Sequence, residues 1–304
     1  MMLGEIFYWV FNMSITASVT GLVVLILTRI RLFPRKAAVW LWAIPFLRMT
    51  FPVGMSGEYS LMTLMSELGT KTVTVYEEVK VPLTTMNHIG AAATYFPITY
   101  EVNLLEELFN TAGVIWLAVS IAVLLTVTVI YITTLCELRG AVHLRENVYI
   151  SEKITTPAVY GIFRPRVILP AAYANRDNEL VLLHERMHIR HLDNLWRLAA
   201  LIITAFHWFN PLSWVFLRCL LSDIELSCDA RVLSRIGGDR AKEYALTLIE
   251  AKRGRTVFAS AFGGARIRTR IENILSFRKM TALSFWAFSM LLVVVFYILM
   301  TNAA

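Results

Sequence analysis

The amino-acid sequence predicts a multi-pass α-helical membrane protein that carries a cytoplasmic α+β domain. Of its 304 residues, 57% are hydrophobic and only 17% are charged, whereas soluble globular chains have roughly 45–50% apolar and about 25% charged residues. Four apolar runs have close to the ~20 residues that a helix needs to cross the bilayer core. A soluble globular chain and a disordered chain are both excluded by this composition.

The four apolar runs are predicted to be transmembrane helices, at about 6–28, 37–53, 114–134 and 281–300. The first run is predicted to be retained, because the segment before it is acidic and lacks the basic residues that begin a signal peptide. The segments that join the runs differ strongly in charge, and this difference predicts how the helices are oriented.

The short link after the first run holds four basic residues. Segment 54–113 holds two lysines against seven glutamates, and segment 135–280 holds 22 Lys and Arg against 14 Asp and Glu. Since basic segments next to spans remain in the cytoplasm, the link and segment 135–280 are predicted to be inside. The acidic loop and both termini are then outside.

This orientation divides the chain into five predicted parts. They are two transmembrane helices with a basic cytoplasmic link (1–53), an extracellular acidic loop (54–113), a third transmembrane helix (114–134), a cytoplasmic domain (135–280) and a fourth transmembrane helix (281–304). The three cysteines fall on the cytoplasmic side, where thiols stay reduced. The lipid bilayer is the first partner that the sequence predicts.

The cytoplasmic domain is predicted to begin with a small sheet. Asn147–Glu152, Ala158–Ile162 and Arg166–Leu169 are short segments rich in β-branched or aromatic residues and separated by glycine and proline, which is typical of strands. His143 is expected to precede this sheet. A helix is predicted to start near Asn178 and to continue through residue 196.

This helix contains the pattern His184-Glu185-Arg186-Met187-His188. Residues four apart lie on one face of a helix, so both imidazoles can bind one metal ion. Neutral imidazoles are suitable ligands for Zn²⁺, and Glu185 can take the proton of an attacking water. The apolar segment 180–183 favours a buried helix over a surface helix with two exposed histidines.

A catalytic zinc site needs a third protein ligand, and the geometry favours Glu225. If the helix of His188 runs to about Phe206 and the chain turns at Asn210 and Pro211, a second helix returns Glu225 to within ~10 Å of the level of His188. Segment 198–217 is therefore predicted to be a helical hairpin against the inner leaflet. A fifth span in its place would put the acid across the membrane from the histidines.

Further side chains are candidates for supporting roles. Asp229 could hydrogen-bond the far nitrogen of a ligating histidine, and Asp193 could do so or brace the second helix. Cys228 could close the site as a fourth, structural ligand, although a buried apolar thiol is the simpler interpretation. The group that stabilises the developing negative charge stays unassigned, with Tyr160 and Arg231 both within reach.

With these motifs the chain resembles the BlaR/MecR family of membrane metallopeptidases, the β-lactam-sensing antirepressors and their relatives. The patterns that carry the resemblance are His184-Glu185-x-x-His188-x-x-x-x-Asp193, Asp223-x-Glu225-x-x-Cys228-Asp229 and Pro157-x-x-x-Gly161-x-x-x-Pro165-x-Val-Ile-Leu-Pro170. The resemblance implies a gluzincin-like zinc metallopeptidase domain that binds Zn²⁺ through His184, His188 and Glu225. In such a domain Glu185 is the general base.

The resemblance also implies a location and partners. The domain would act at the bacterial plasma membrane on a cytoplasmic winged-helix repressor of the BlaI/MecI type, on the chain itself, or on both. Self-cleavage in the family lies between the zinc domain and the last span, here Arg266–Lys279, which includes Ser276 and Phe277. The alternative for this segment is a basic juxtamembrane helix. A two-fold homodimer is implied, and no direct contact with nucleic acid is expected.

The sequence departs from the β-lactam receptors in one respect. Those receptors carry a penicillin-binding sensor after the last span, whereas only residues 301–304 follow the last apolar run of this chain. We therefore expect no such sensor and no direct acylation by a β-lactam. A signal would arrive through the acidic loop, the spans or a separate protein.

Two other functions remain open from the sequence. A quality-control or processing peptidase of the HtpX and prenyl-protease group has the same His-Glu-x-x-His pattern with a downstream glutamate, but the motif from Glu225 to Asp229 favours the antirepressor family. A non-catalytic membrane receptor or scaffold could use zinc only as a brace. Glu185 argues against a brace, because a closed structural site has no use for a base.

Overall fold

The computed structural model describes residues 3–30, 34–51, 103–174, 178–251, 267–277 and 282–301. Most of the predicted acidic loop, 54–102, and the ends of the predicted self-cleavage segment lie outside these residues. The described helices are α1 (Leu3–Arg29), α2 (Arg35–Thr50), α3 (Asn103–Glu137), α4 (Glu179–Arg190), α5 (Asp193–Phe206), α6 (Pro211–Ile236), α7 (Ala241–Ala251), α8 (Ile267–Leu275) and α9 (Ala282–Met300). The strands are β1 (Val142–Arg145), β2 (Val148–Ser151), β3 (Ala158–Tyr160) and β4 (Arg166–Pro170).

Two stretches of the described residues, Leu3–Arg29 and Glu107–Gly140, are helices long and apolar enough to cross a membrane. The second belongs to α3, which begins at Asn103, so the end of the segment predicted as an outer loop is helical. Helix α2 has 16 residues, and the apolar part of α9 is Trp286–Met300. The topology with four spans stays a prediction.

The sheet has the strand order β1-β2-β4-β3, in which only the pair β2 and β4 is parallel. The prediction that His143 precedes the sheet is wrong, because it lies in β1 and pairs with Tyr149. All four residues of β1 are exposed. An exposed edge strand lacks the alternation of buried and exposed residues by which strands are recognised.

Helix α4, which carries the two histidines, lies between the sheet and the helices that follow. On one side Val181 and Leu182 pack against Val148, Val167 and Leu169 of the sheet. The other side contributes Leu180 and Met187 to a second apolar cluster, built mainly from residues of α6 and α7. Because both sides are packed, α4 is a buried helix, and polar side chains on it need partners inside the protein.

The helix α4 does not continue through residue 196, and that prediction is wrong. It ends at Arg190, Leu192 adopts a left-handed backbone conformation with φ of 54°, and α5 begins at Asp193. Neither glycine nor proline marks the break, although a left-handed residue is usually a glycine or an asparagine. The sequence therefore offered no local signal for it.

Helices α5 and α6 form a hairpin over the predicted segment 198–217. The Asn210 side chain caps α6 by accepting a hydrogen bond from the backbone N–H of Leu212 at 2.9 Å, and Pro211 occupies the first turn, as helix starts prefer. The same side chain donates to the hydroxyls of Ser14 and Ser18 on α1, both at 2.8 Å. The turn of the hairpin therefore lies beside the middle of α1.

Helices α1 and α2 hold the long helix α6 in place through contacts along its length. The indole of Trp42 donates to Asp223 at 2.7 Å, and the ammonium of Lys36 donates to Ser234 at 2.6 Å. The ring of Phe216 packs directly on Gly21 of α1, where a Cβ atom would clash with it. These contacts fix the position of α6 along its own axis, and therefore the position of Glu225.

Candidate metal centre

Two histidine nitrogens face each other at the centre of the domain. His184 and His188 project from one face of α4, and their Nε2 atoms are 3.2 Å apart. Both side chains are buried, with 6% of each residue exposed. Helical spacing alone accounts for the convergence, since residues four apart lie one turn above each other.

Glu225 of α6 brings its carboxylate to the same point. Its Oε2 atom lies 3.8 Å from Nε2 of His184, and Oε1 lies 3.7 Å from Nε2 of His188. Ligands of a tetrahedral Zn²⁺ at 2.0–2.1 Å are about 3.3 Å apart, so the three groups need to move by only a few tenths of an ångström. Glu225 thus lies beside both histidines, although the helix of His188 ends at Arg190 and does not run to Phe206, as the predicted hairpin assumed.

The second ring nitrogen of His188 is held by Asp193. The distance from Nδ1 to Oδ2 is 2.6 Å, and Asp193 is almost fully buried at the start of α5. A carboxylate at this distance accepts the Nδ1 proton, which leaves the Nε2 lone pair directed at the centre. Asp193 also lies 3.8 Å from Arg231 of α6, so it contacts the second helix as well.

The second ring nitrogen of His184 is held by Tyr244 of α7. The tyrosine hydroxyl lies 2.7 Å from Nδ1 and donates to Oδ1 of Asp229 at 2.7 Å. The expected direct hydrogen bond from Asp229 to a histidine is therefore corrected: the carboxylate is 3.5 Å from Nδ1, and the hydroxyl lies between them. With Nδ1 protonated on both rings, two lone pairs face each other 3.2 Å apart, an arrangement that a cation stabilises.

Two arginines neutralise the acids around this point. Arg270 of α8 is 4% exposed and donates from Nε and Nη2 to the two oxygens of Asp229, both at 2.7 Å. Its Nη1 atom lies 3.0 Å from Oε2 of Glu225. Arg197 of α5 donates to Oε1 of Glu225 at 2.7 Å. The carboxylates are therefore held in fixed positions by the charged groups of α5 and α8.

The environment shifts the pKa values of the central groups in a consistent way. Burial lowers the pKa of His184 well below its ordinary value, and the neighbouring His188 and Arg270 lower it further. The imidazole is therefore neutral, as a metal ligand must be. Burial alone would raise the pKa of Glu225, but the neighbouring groups, Arg270 first, together outweigh burial and hold the pKa well below its ordinary value, so the carboxyl is ionised. Burial raises the pKa of Glu185.

Cys228 is close enough to be considered as a ligand. His184, His188 and Cys228 offer ligand atoms that all lie within 4.8 Å of one another. However, Sγ faces Nδ1 of His184 at 3.4 Å, the nitrogen that Tyr244 already holds. Burial and the nearby acids, Asp229 first, raise the pKa of this thiol well above its ordinary value. Sγ thus lies on the Nδ1 side of His184, whereas Glu225 faces both Nε2 atoms, so Glu225 fits better as the third ligand.

A cavity of about 320 Å³ opens beside the centre. Its walls come from α3, from β3 and the residues after it, and from α5 and α6, and its lining is mostly apolar. Glu225, Arg197 and Tyr160 are among its polar lining residues. Burial raises the pKa of Tyr160, and the charge of Glu185 raises it further, so these two side chains are electrostatic neighbours.

The structure separates the two predicted candidates for stabilising negative charge. Tyr160 lines the cavity together with Glu225. Arg231 lies against Asp193, behind His188.

Ser276 and Phe277, the predicted cleavage residues, follow α8 directly, and Phe277 packs against the apolar cluster that contains Met187. The hydroxyl of Ser276 donates to the carbonyl of Glu272 at 2.7 Å.

Sequence reasoning missed three side chains that contact the ligands: Tyr244, Arg270 and Arg197. Arg270 is the third arginine in an alternating run with Arg266 and Arg268, which is typical of a solvated surface. Tyr244 lies on the apolar face of α7, 60 residues beyond His184. Their roles depend on how α7 and α8 pack against α6, and no local spacing encodes that packing.

Comparison with known proteins finds a matching family and several relatives. A family model described as BlaR1 peptidase M56 matches residues 8–274. The chain is 28% identical over 138 residues to the regulatory protein BlaR1 of Bacillus licheniformis. The aligned region is 42% of this chain and 23% of that protein. It is 24% identical over 104 residues to the methicillin resistance mecR1 protein of Staphylococcus aureus. This aligned region is 33% of this chain and 18% of that protein. The chain thus matches less than a quarter of the length of either relative.

Proposed function

Because the chain belongs to the BlaR1 peptidase M56 family, we propose that it is a membrane-embedded zinc endopeptidase that acts in signal transduction. The observation that carries this proposal is the convergence of His184, His188 and Glu225, in which each imidazole has its outer nitrogen fixed by a hydrogen bond. The substrate is a cytoplasmic winged-helix repressor of the BlaI/MecI type, the chain itself, or both.

In this proposal His184, His188 and Glu225 hold the zinc ion. A bound zinc ion lowers the pKa of its water to about 7 and polarises a carbonyl. Asp193 and Tyr244 keep the two imidazoles in the tautomer that presents Nε2. The two arginines keep Glu225 ionised and limit the freedom of its carboxylate. Three ligands leave a position open for water and substrate, which suits a catalytic site better than a structural one.

Glu185 is the general base. It follows His184 directly and is 7% exposed, and the charges of His188, Glu225 and Arg197 act on its pKa. Its raised pKa brings it closer to neutral pH, where a carboxylate both accepts and returns a proton efficiently. Glu185 takes a proton from the attacking water and passes it to the amide nitrogen when the peptide bond breaks.

Tyr160 is the better candidate for stabilising the negative charge on the carbonyl oxygen. It is the last residue of the short edge strand β3, lines the cavity beside Glu225 and is close enough to Glu185 for that charge to raise its pKa. A neutral phenol can donate a hydrogen bond to an oxygen that becomes negative in the transition state. Arg231 is engaged by Asp193 and supports α6.

The cavity indicates how a peptide is bound. Its apolar walls suit a bulky apolar side chain next to the cleaved bond, while Glu225 and Tyr160 line the same space. Part of its wall is α3, which is one of the two helices in the described part of the chain that are apolar enough to cross a membrane. The active site therefore lies at the inner membrane surface, with a re-entrant α5–α6 hairpin between the spans.

Zinc content tests the ligand set directly. In detergent-solubilised full-length protein, His184→Ala and Glu225→Ala should each reduce bound zinc well below one ion per chain, whereas the wild type should bind one. Unchanged zinc in both variants would contradict the ligand set. A quality-control peptidase is distinguished by its substrates, because it would degrade misfolded membrane proteins broadly.

Reporter fusions test the orientation. Fusions at residue 304 and in the loop 54–113 should report outside, and one at residue 240 should report inside. An outside result at 240 would mean that segment 198–217 crosses the membrane. The topology with a cytoplasmic catalytic domain would then be wrong.

A further inference from the structure

The Tyr244 hydroxyl is the polar end of a largely apolar side chain, and it contacts the metal centre. The residue is fully buried, and its ring packs in the apolar cluster that contains Leu180, Met187 and Val232. Its hydroxyl lies 2.7 Å from Nδ1 of His184 and 2.7 Å from Oδ1 of Asp229. A phenylalanine would fill the same apolar space without either hydrogen bond.

The direction of the two hydrogen bonds is fixed by Arg270. Its guanidinium donates to both oxygens of Asp229 at 2.7 Å, in a two-bond fork. Such a fork requires an ionised carboxylate, which can only accept hydrogen bonds. The hydroxyl of Tyr244 therefore donates to Asp229, and its oxygen is left to accept the proton of Nδ1 of His184.

This direction determines which nitrogen of His184 is available. With Nδ1 protonated and bound to the hydroxyl, the lone pair of Nε2 faces Nε2 of His188, Glu225 and the guanidinium of Arg270, whose Nη2 lies 3.3 Å away. A ring without this acceptor could exchange tautomers or rotate. Asp193 performs the corresponding task for His188 directly, with a carboxylate at 2.6 Å.

We propose that Tyr244 is a positioning residue of the metal centre, which fixes the tautomer and the orientation of His184 through its hydroxyl. Arg270 completes the arrangement by fixing Asp229, so that α6, α7 and α8 all act on one ligand of α4. The proposal rests on the zinc centre proposed above. Partners of this kind typically change metal affinity by 10–100-fold when they are removed.

The test is the zinc affinity of Tyr244→Phe in the detergent-solubilised full chain, measured by competition with a colorimetric chelator. We expect it to be 10–100-fold weaker than in the wild type. The matched control is Tyr149→Phe, since Tyr149 lies on the sheet beside Arg166 and His143. This control should stay within about twofold of the wild type.

A cobalt(II) spectrum separates a positioning role from a structural one. Cobalt-loaded Tyr244→Phe should show shifted d–d absorption bands at wild-type helix content, because the orientation of a ligand changes while the fold does not. Affinity within twofold of the wild type together with a superimposable spectrum would overturn the proposal. If Tyr244→Phe does not fold, Arg270→Lys replaces it: lysine keeps the charge but cannot form the fork, and wild-type affinity in that variant would overturn the proposal equally.

His184→Ala separates this inference from the function on which it depends. If His184→Ala loses zinc and Tyr244→Phe does not, only the role of Tyr244 fails. If His184→Ala keeps its zinc, the metal centre itself is wrong, and the role of Tyr244 falls with it.

Discussion

The Nδ1 atom of His188 lies 2.6 Å from Oδ2 of Asp193, although the two residues belong to different helices. In one continuous helix, residues five apart would point about 140° away from each other. The left-handed conformation of Leu192 ends α4 and starts α5 in a new direction, which turns the carboxylate of Asp193 toward the imidazole. The break between α4 and α5 thus places Asp193 beside His188 and contributes directly to the geometry of the metal centre.

Removal of Asp193 should weaken zinc binding. Asp193→Ala leaves Nδ1 of His188 without its acceptor, so the imidazole loses its fixed tautomer and part of its basicity. We expect zinc affinity to fall by about 10–100-fold, measured by chelator competition. Asp239→Ala, at an exposed position after α6, is the control and should bind zinc like the wild type. Equal affinities of the two variants would show that Asp193 does not support the ligand.

The thermal stability of the protein should depend on whether residue 192 is a glycine or a β-branched residue. Its φ of 54° costs an L-amino acid roughly 1–2 kcal/mol, and the side chain is 57% exposed, so little packing is lost on substitution. Leu192→Gly should keep or raise the midpoint of thermal unfolding. Leu192→Val should lower it, because a branched Cβ fits this conformation least well. A midpoint of Leu192→Val at or above that of Leu192→Gly would contradict the assigned backbone conformation.

Cys228 should be dispensable for metal binding. Its thiol is protonated and faces the nitrogen of His184 that Tyr244 holds. Cys228→Ser should therefore retain close to one zinc ion per chain, whereas Glu225→Ala should lose most of it. The measurement is zinc content after exhaustive dialysis. Loss of zinc in Cys228→Ser with retention in Glu225→Ala would exchange the roles of the two residues and favour a structural site.

Filling the cavity should impair cleavage without affecting the metal. Leu201 lines the cavity, whereas its neighbour Ile202 does not and is 37% exposed. Leu201→Trp should lower the rate of cleavage of a co-expressed repressor by at least about tenfold, because an indole occupies the space of a substrate side chain. Ile202→Trp should cleave like the wild type, and both variants should keep their zinc. Equal rates would mean that substrate enters by another route.

The sequence was sufficient for features that depend on short spacing or on chain geometry. His184 and His188 follow from one helical turn, and the start of α6 follows from Asn210 and Pro211. In each case the information lies in residue types at fixed separations along the chain.

The features that the sequence did not predict depend on packing, or on a backbone conformation adopted by a residue type that rarely adopts it. Leu192 is an ordinary apolar residue in a left-handed conformation, and β1 is an edge strand whose four residues are all exposed. Arg270 and Tyr244 reach the centre only because α7 and α8 pack against α6. Buried polar groups in such positions resemble ordinary surface and core residues in the sequence.

The central claim is that Glu185 is the base of a zinc peptidase, and one comparison tests it most directly. Membranes that contain the wild type or Glu185→Ala are supplied with zinc and a co-expressed repressor, and fragments of both proteins are followed by blot. We expect fragments of the repressor, of the chain near 266–280, or of both, from the wild type only, with equal zinc in the two proteins. Identical fragments from both proteins, or no fragment from a wild type that is loaded with zinc and exposed to its inducing signal, would contradict it.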